Sequence, residues 1–183
     1  MSEEQKTRTG WLIFIYRIPR EPSRPRVAAW RKLKTLGALY LQDGVVALPE
    51  DAVTREQLQW LQLNIREAGG EATLWEAAPE TISEEKRLVQ SFREAREEGY
   101  RAVMDEAERL RRKSELGADE ESLRKELSKV ERDFRAERRR DYFRSPLRKE
   151  TLSALKAAQR AVRGGTDPAE EPGPQAGSAG EGP

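Results

Sequence analysis

The sequence predicts an α+β fold: a ferredoxin-like β-α-β-β-α-β sandwich followed by a long charged α-helical hairpin and a disordered tail. Three observations carry it. Trp11 to Arg17 is an almost unbroken apolar, β-rich run; Asp43-Gly44 separates two further short runs of the same kind; and helical periodicities follow the first and third runs. The order of segments is then a flexible N-terminus at residues 1–9, the sandwich at 10–79, a charged helical region at 80–163 and a disordered tail at 164–183.

The first strand reads as central and covered on at least one face. Pro19, Pro22 and Pro25 stop it, and Ser23 is placed to cap a helix whose first turn accepts Pro25. That helix runs to about Leu36 before Gly37, with Val27, Trp30, Leu33 and Leu36 or Ala29 on the stripe expected to meet the sheet. Leu39 to Gln42 and Val45 to Leu48 flank Asp43-Gly44, both of whose positions tolerate the positive φ of a tight hairpin. Thr54-x-x-Gln57 fits a capping box for a second helix, striped with Leu58, Leu61, Ile65 and Ala68 and stopped by Gly69-Gly70. Ala72 to Trp75 makes a short fourth strand, closed by Pro79. Strands one and three are expected at the centre of the sheet.

From Thr81-x-x-Glu84, another capping box, the chain is charged and helical to about Lys113, breaks at Leu116-Gly117-Ala118, and resumes after Asp119 toward Arg163. Ser145-Pro146 must break or kink it. The apolar positions are Leu88, Phe92, Ala95, Val103, Ala107 and Leu110, then Leu123, Leu127, Val130 and Phe134. So narrow a seam predicts an antiparallel, coiled-coil-like hairpin, packed on the sheet or completed by a second subunit, giving a homodimer. Gly164 to Pro183 is rich in Gly, Pro, Ala and Glu and is expected to be disordered.

Of 183 residues, 37% are charged and 36% hydrophobic, and the mean hydropathy is -0.88, too polar for one large core. The chain has no cysteine and no histidine, which excludes disulfides, thiolate nucleophiles, imidazole chemistry and zinc sites of the usual ligand types. Neighbouring acids such as Glu84-Glu85, Glu97-Glu98 and Glu120-Glu121 lie on charged helices, where solvation outweighs acid-base work, and no phosphate-binding glycine loop occurs. Neither enzymatic activity nor a cofactor or metal is expected. No apolar run approaches the roughly 18 to 20 residues of a membrane helix, so a cytoplasmic protein without membrane contact is expected.

The formal net charge is +1, so affinity for a polyanion must come from local clustering. Arg17, Arg20, Arg24, Arg26, Arg31, Lys32 and Lys34 fall in one strand-turn-helix segment, opposed only by Glu21. Arginine suits oxyanions because its planar fork donates two hydrogen bonds to two oxygens, and helix N–H groups add to the field. A solvated helix face is the other reading. A secondary basic patch, Arg138, Arg139, Arg140, Arg144 and Arg148, contains Tyr142 and Phe143. Acids nearby equally allow an ordinary ion-paired helix surface. Trp11, Trp30, Trp60 and Trp75 read as core or core-edge aromatics.

The run Trp11 to Arg31, then Leu36-Gly37-Ala38-Leu39-Tyr40-Leu41-Gln42 and Gly69-Gly70-Glu71-Ala72, resembles the N-terminal domain of the chromate resistance regulator family ChrB, most closely over residues 10–79. The resemblance implies a cytoplasmic, chromate-responsive transcription regulator that binds DNA at the promoter of a chromate-resistance operon. Longer members carry a histidine-containing C-terminal domain, and this sequence has no histidine. Chromate is a tetrahedral dianion, so an arginine pocket of Arg17, Arg20 and Arg24 could hold it without redox chemistry. A non-DNA oxyanion-binding or protein-interaction module is the alternative. The sheet domain also resembles the fold shared by a small CRISPR-associated endonuclease and by part of the phenylacetate-pathway repressors. Where the nuclease ends its first strand on a metal-holding aspartate, this chain has Arg17-Ile18-Pro19, which argues against metal-dependent cleavage.

Overall fold

The computed structural model describes residues 9–164. The expected flexible start and disordered tail lie outside the described residues, apart from Thr9 and Gly164. The elements are β1 (Trp11–Arg17), α1 (Ser23–Leu36), β2 (Leu39–Gln42), β3 (Val45–Pro49), α2 (Ala52–Glu67), β4 (Glu71–Ala77), α3 (Ile82–Glu115), α4 (Glu120–Arg140) and α5 (Leu147–Gly164). The four strands form one antiparallel sheet in the order β2-β3-β1-β4.

β1 lies between β3 and β4, with Ile13 opposite both Ala47 and Trp75. Leu12 and Phe14 point to the helical side, where they share a core with Ala29 and Leu33 of α1, Val46 and Leu48 of β3, Leu58, Leu61 and Ile65 of α2, and Ala72 of β4. β4 is longer than its apolar run predicts because it pairs with β1 along its whole length, from Trp11 opposite Ala77 to Arg17 opposite Glu71. That ladder carries the exposed Glu71 and Glu76 into the strand.

Several expected contacts are corrected. Pro22, not Ser23, occupies the cap position of α1, and no side chain caps that helix. Val27 and Trp30 are exposed, since the centre of burial runs through Ala29 and Leu33, four residues apart, and Trp30 stands one step round the helix. α2 begins two residues before the expected box: Asp51 is its cap and accepts from the Thr54 N–H at 2.8 Å, which leaves Thr54 buried at the third helical position. Of the four tryptophans only Trp11 is in the core; Trp30, Trp60 and Trp75 are about half exposed. The capping box at Thr81 and Glu84 is complete, and Asp119 caps α4 through the Ser122 N–H at 2.9 Å.

The expected helical hairpin is a three-helix bundle. α4 ends at Arg140, and α5 returns along both partners, adding Leu155, Ala158 and Val162 to a core of Tyr100, Val103, Ala107, Leu110, Leu123, Leu127, Val130 and Phe134. Two narrow seams cannot shield each other from water, and the third stripe closes them.

Bundle and sheet meet through the turn at 141–146. Asp141 is buried, yet both its oxygens are engaged: the Tyr100 hydroxyl donates to Oδ2 at 3.0 Å and the Ser145 N–H to Oδ1 at 2.8 Å. The turn projects Tyr142 and Phe143 toward the sheet domain. Phe143 lies 5.7 Å, centroid to centroid, from Trp11 and 5.5 Å from Phe92, and Trp11 and Phe92 are 5.6 Å apart. Tyr142 packs on the sheet-domain core and donates to the Leu36 carbonyl at 2.8 Å, satisfying one of the orphan acceptors at the end of α1. The Trp11 indole N–H has no partner among the described residues, a cost of about 1–3 kcal/mol set against the aromatic contacts of its ring.

Leu155→Ala is expected to lower the unfolding free energy by about 2–5 kcal/mol, read as a fall in the urea midpoint, because it removes the side chain that closes the bundle. The fold also predicts alkaline sensitivity. Burial, then the Asp141 charge, hold the Tyr100 hydroxyl far above its ordinary pKa of about 10. Above about pH 10 the unfolded chain loses this proton while the folded chain keeps it, so stability is full below that pH and falls as pH rises. Tyr100→Phe should flatten that fall in urea titrations between about pH 10 and 11.5.

Candidate nucleic-acid interface

α1 carries Arg24, Arg26, Arg31, Lys32 and Lys34 and no acidic residue. Its buried residues are Ala29 and Leu33, so the sheet claims one narrow stripe and leaves the rest of the helix to solvent. Arg24, Arg26 and Arg31 are exposed and make no ion pair among the described residues, as does Arg20 in the approach to the helix. Lys34 stands over the Trp30 ring, 5.0 Å from its centroid, so this half-exposed tryptophan sits among cations. Lys32 is turned the other way, donating to Gln57 of α2.

The end of α1 is the key placement. Gly37 adopts φ 74° and returns its N–H to Lys34, while the Ala38 N–H bonds Leu33. A Cβ at Gly37 would stand 2.7 Å from the Arg140 Cβ, so the backbone of α1 meets α4 directly there. Together with the Tyr142 to Leu36 hydrogen bond, this sets the carboxyl ends of α1 and α4 against each other. Lys34 lies three residues before one side of that contact, and Arg138 and Arg139 immediately before the other. Segments more than 100 residues apart in sequence, each bearing a basic cluster, are thus brought together at the Lys34 end of one and the Arg138–Arg139 end of the other.

Within the second cluster the roles divide. Arg138, Arg139 and Arg144 are exposed; Arg144 holds φ 53°, the left-handed region, in the turn after α4. Arg140 is part of the scaffold. Its Nη1 lies 3.3 Å from Glu137 Oε1, while Arg96 of α3 donates to Glu137 Oε2 at 3.0 Å, all three side chains being less than a fifth exposed. Gly99 makes room for this group: a Cβ there would come within 2.5 Å of the Glu137 carboxylate, which accounts for a glycine in the middle of a 34-residue helix. Arg148 is half-buried beside the Asp141 turn.

Arg17 does not join Arg20 and Arg24. Side chains alternate along β1, which places Arg17 with Ile13 and Ile15 on the face of the sheet opposite α1, where it pairs with Glu71 at 3.3 Å. The expected three-arginine chromate pocket is therefore not assembled, and the main cavities are lined by other residues. Sequence reasoning missed the supporting groups: Tyr100, Asp141, Glu137 and Arg96 are polar residues in charged helices, and only Gly99, out of place in a helix, signalled a close approach.

The sequence matches the family described as "Protein ChrB, N-terminal" over residues 26–168. The match begins inside α1 and runs through all three bundle helices, so it is not centred on the sheet domain as the motifs had implied. The chain is 31% identical over 97 residues to Protein ChrB of Cupriavidus metallidurans. That stretch is 53% of this chain and 26% of the relative, so the match spans about a quarter of the curated protein's length. No solved structure gives a significant match. Among the described residues no helix is long and apolar enough to cross a membrane.

The division between scaffold and surface is testable by stability alone. Glu137→Ala leaves Arg96 and Arg140 in place with their shared carboxylate gone and should cost about 3 kcal/mol in urea unfolding. Arg138→Ala, on the exposed side of the same helix, should change it by less than about 0.5 kcal/mol.

Proposed function

This chain belongs to the family defined by the N-terminal region of protein ChrB, and from that membership we propose that it is a DNA-binding regulator, or accessory to one, in a bacterial chromate-resistance system. The observation that supports the DNA reading is the contact between the ends of α1 and α4, which brings the Lys34 end of a helix that also exposes Arg24 and Arg31 beside the α4 end that exposes Arg138 and Arg139. Exposed guanidinium and ammonium groups bind duplex phosphates by releasing counterions and confer affinity without sequence preference. Half-exposed Trp30 adds an aromatic platform within the same surface. The β-α-β-β-α-β order, with β1 and β3 central, supports a ferredoxin-like sandwich as the frame that presents α1. Pairing of two copies would present two such surfaces, as dimeric regulators do on paired half-sites.

The oxyanion-binding alternative has less support, because Arg17 faces away from Arg24 and, among the described residues, the main cavities do not gather the α1 arginines. Chromate response then requires residues other than that trio, or a partner.

Fluorescence anisotropy on duplex DNA from the chain's own promoter, and on scrambled duplex, tests the proposal across salt. The triple substitution Arg24→Ala, Arg31→Ala, Lys34→Ala should weaken binding more than about tenfold and reduce the salt slope by about 3; Arg138→Ala with Arg139→Ala should reduce it by about 2. Tight binding that ignores both sets, or no binding at low salt, would remove the DNA role. Release by chromate but not by sulfate would assign sensing to this chain.

A further inference from the structure

The sheet has two faces; the elements of this chain cover one throughout and the other only at its Trp11 end, where Phe92 and Phe143 pack. α1 and α2 lie over Leu12, Phe14, Val46, Leu48 and Ala72. On the opposite face the strand registers set Leu39, Ala47, Ile13 and Trp75 in one row across all four strands, with Val45, Ile15 and Thr73 in the next. Ile15, Leu41 and Trp75 are 41%, 49% and 58% exposed. No charged side chain interrupts either row. A solvated antiparallel face ordinarily alternates to polar residues, whereas β1 has the continuous apolar composition of a strand buried on both sides. An apolar patch of this kind, exposed at Ile15, Leu41 and Trp75 around a buried Ala47 and half-buried Ile13, Leu39 and Val45, marks an interaction surface.

Its ends are defined. At one end Arg17 pairs with Glu71. At the other, the first turns of α3 and the end of β4 border an open cleft of about 740 Å³ lined by Ile13, Leu39 and Leu88 together with Glu80, Glu84 and Arg87.

We propose that this face is the interface between two copies of this chain, packed sheet against sheet; the inference rests on the dimer proposed above and names its surface. Both ends of the face carry charges of both signs, Arg17 with Glu71 at one and Arg87 with Glu80 and Glu84 at the other, so two identical faces can set opposite charges against each other. The α1 surface, all cationic, could not pair with itself in this way. Nucleic acid is a poor occupant because the two rows offer phosphate no cation, and the Trp75 indole N–H is already given to the Thr73 hydroxyl. Residues 1–8 and 165–183 are poor occupants too, since Met1 is their one large apolar side chain. Four strands about 4.8 Å apart, with about five residues each at a rise of about 3.4 Å, give a face of roughly 19 by 17 Å, below the standard interface size. The dimer should therefore be reversible, with dissociation in the micromolar range, of order 10 μM.

Sedimentation velocity of the full chain between about 1 and 200 μM is the test. The expected result is a monomer–dimer equilibrium in which Ile15→Glu and, separately, Trp75→Arg raise the dissociation constant at least tenfold. Both positions are exposed, so far-UV circular dichroism should be unchanged, and two independent variants guard against misfolding of one. Glu56→Arg, on the outer side of α2, should leave association intact. A chain monomeric throughout that range overturns the interface and the dimer together. A dimer that survives both sheet substitutions, or that Glu56→Arg disrupts equally, overturns the assignment of this face and leaves dimerisation itself standing.

Discussion

A carboxylate taken out of water must find hydrogen-bond donors or lose its charge, and Asp141 finds the Tyr100 hydroxyl and the Ser145 N–H. That requirement shapes the turn between α4 and α5. With Asp141 held inward, Tyr142 and Phe143 can project only toward the sheet domain, one onto the Leu36 carbonyl and the other against Trp11 and Phe92. Bundle closure, helix docking and the contact between the two basic clusters all descend from this turn. Without it α4 and α5 would remain a helical pair, but α1 would lose the partner that covers its end.

The abundance of charge has a similarly local explanation. Many cations of α3 and α4 are matched within their own helix, as in the pairs Arg101 with Glu97, Arg111 with Glu115 and Lys125 with Glu121. Such exposed pairs contribute a few tenths of a kcal/mol each and mainly keep three narrow-seamed helices soluble. The Arg96–Glu137–Arg140 group is different because it is shielded, spans two helices and depends on Gly99 for space. α1 is different again: its cations have no acids on the same helix. A net charge of +1 therefore conceals an uneven distribution: α1 has cations and no acid, α5 sets only Glu150 against Arg148, Lys149, Lys156, Arg160 and Arg163, and the balancing acids lie in residues 165–183.

Strand order, hairpin and helix breaks were legible because they depend on local chemistry. Asp43-Gly44 tolerates positive φ, Thr81 and Glu84 satisfy each other's backbone, and Gly117 ends a helix regardless of what surrounds it. The misreadings concern partners that local pattern cannot reveal. Thr54-x-x-Gln57 resembles a cap, yet Asp51 sits three residues earlier with a better acceptor. Trp30 fits a helical stripe, yet the core needs only Ala29 and Leu33 from that helix. Ser145-Pro146 reads equally as a break or a kink, and the third helix was hidden because local pattern does not show that it is a break from which α5 folds back. Of the basic residues, alternation along β1 already separated Arg17 from the others, while the burial of Arg140 depends on Glu137 and Arg96 and could be seen only in three dimensions.

α3 is the one element that belongs to both halves: its first turns border the sheet, Phe92 sits in the aromatic joint, and its last turns run out to Leu116, 86% exposed. From Phe92 to Glu115, at about 1.5 Å per residue, the helix extends roughly 35 Å beyond the joint. It is a stiff lever with its fulcrum at Trp11. A tilt of about 5° at the fulcrum would sweep the far tip through roughly 3 Å, a distance comparable to one hydrogen bond. Small rearrangements among four aromatic rings are thus amplified at the distant end of the bundle, which makes that tip the most sensitive mechanical reporter of how firmly the two halves are joined.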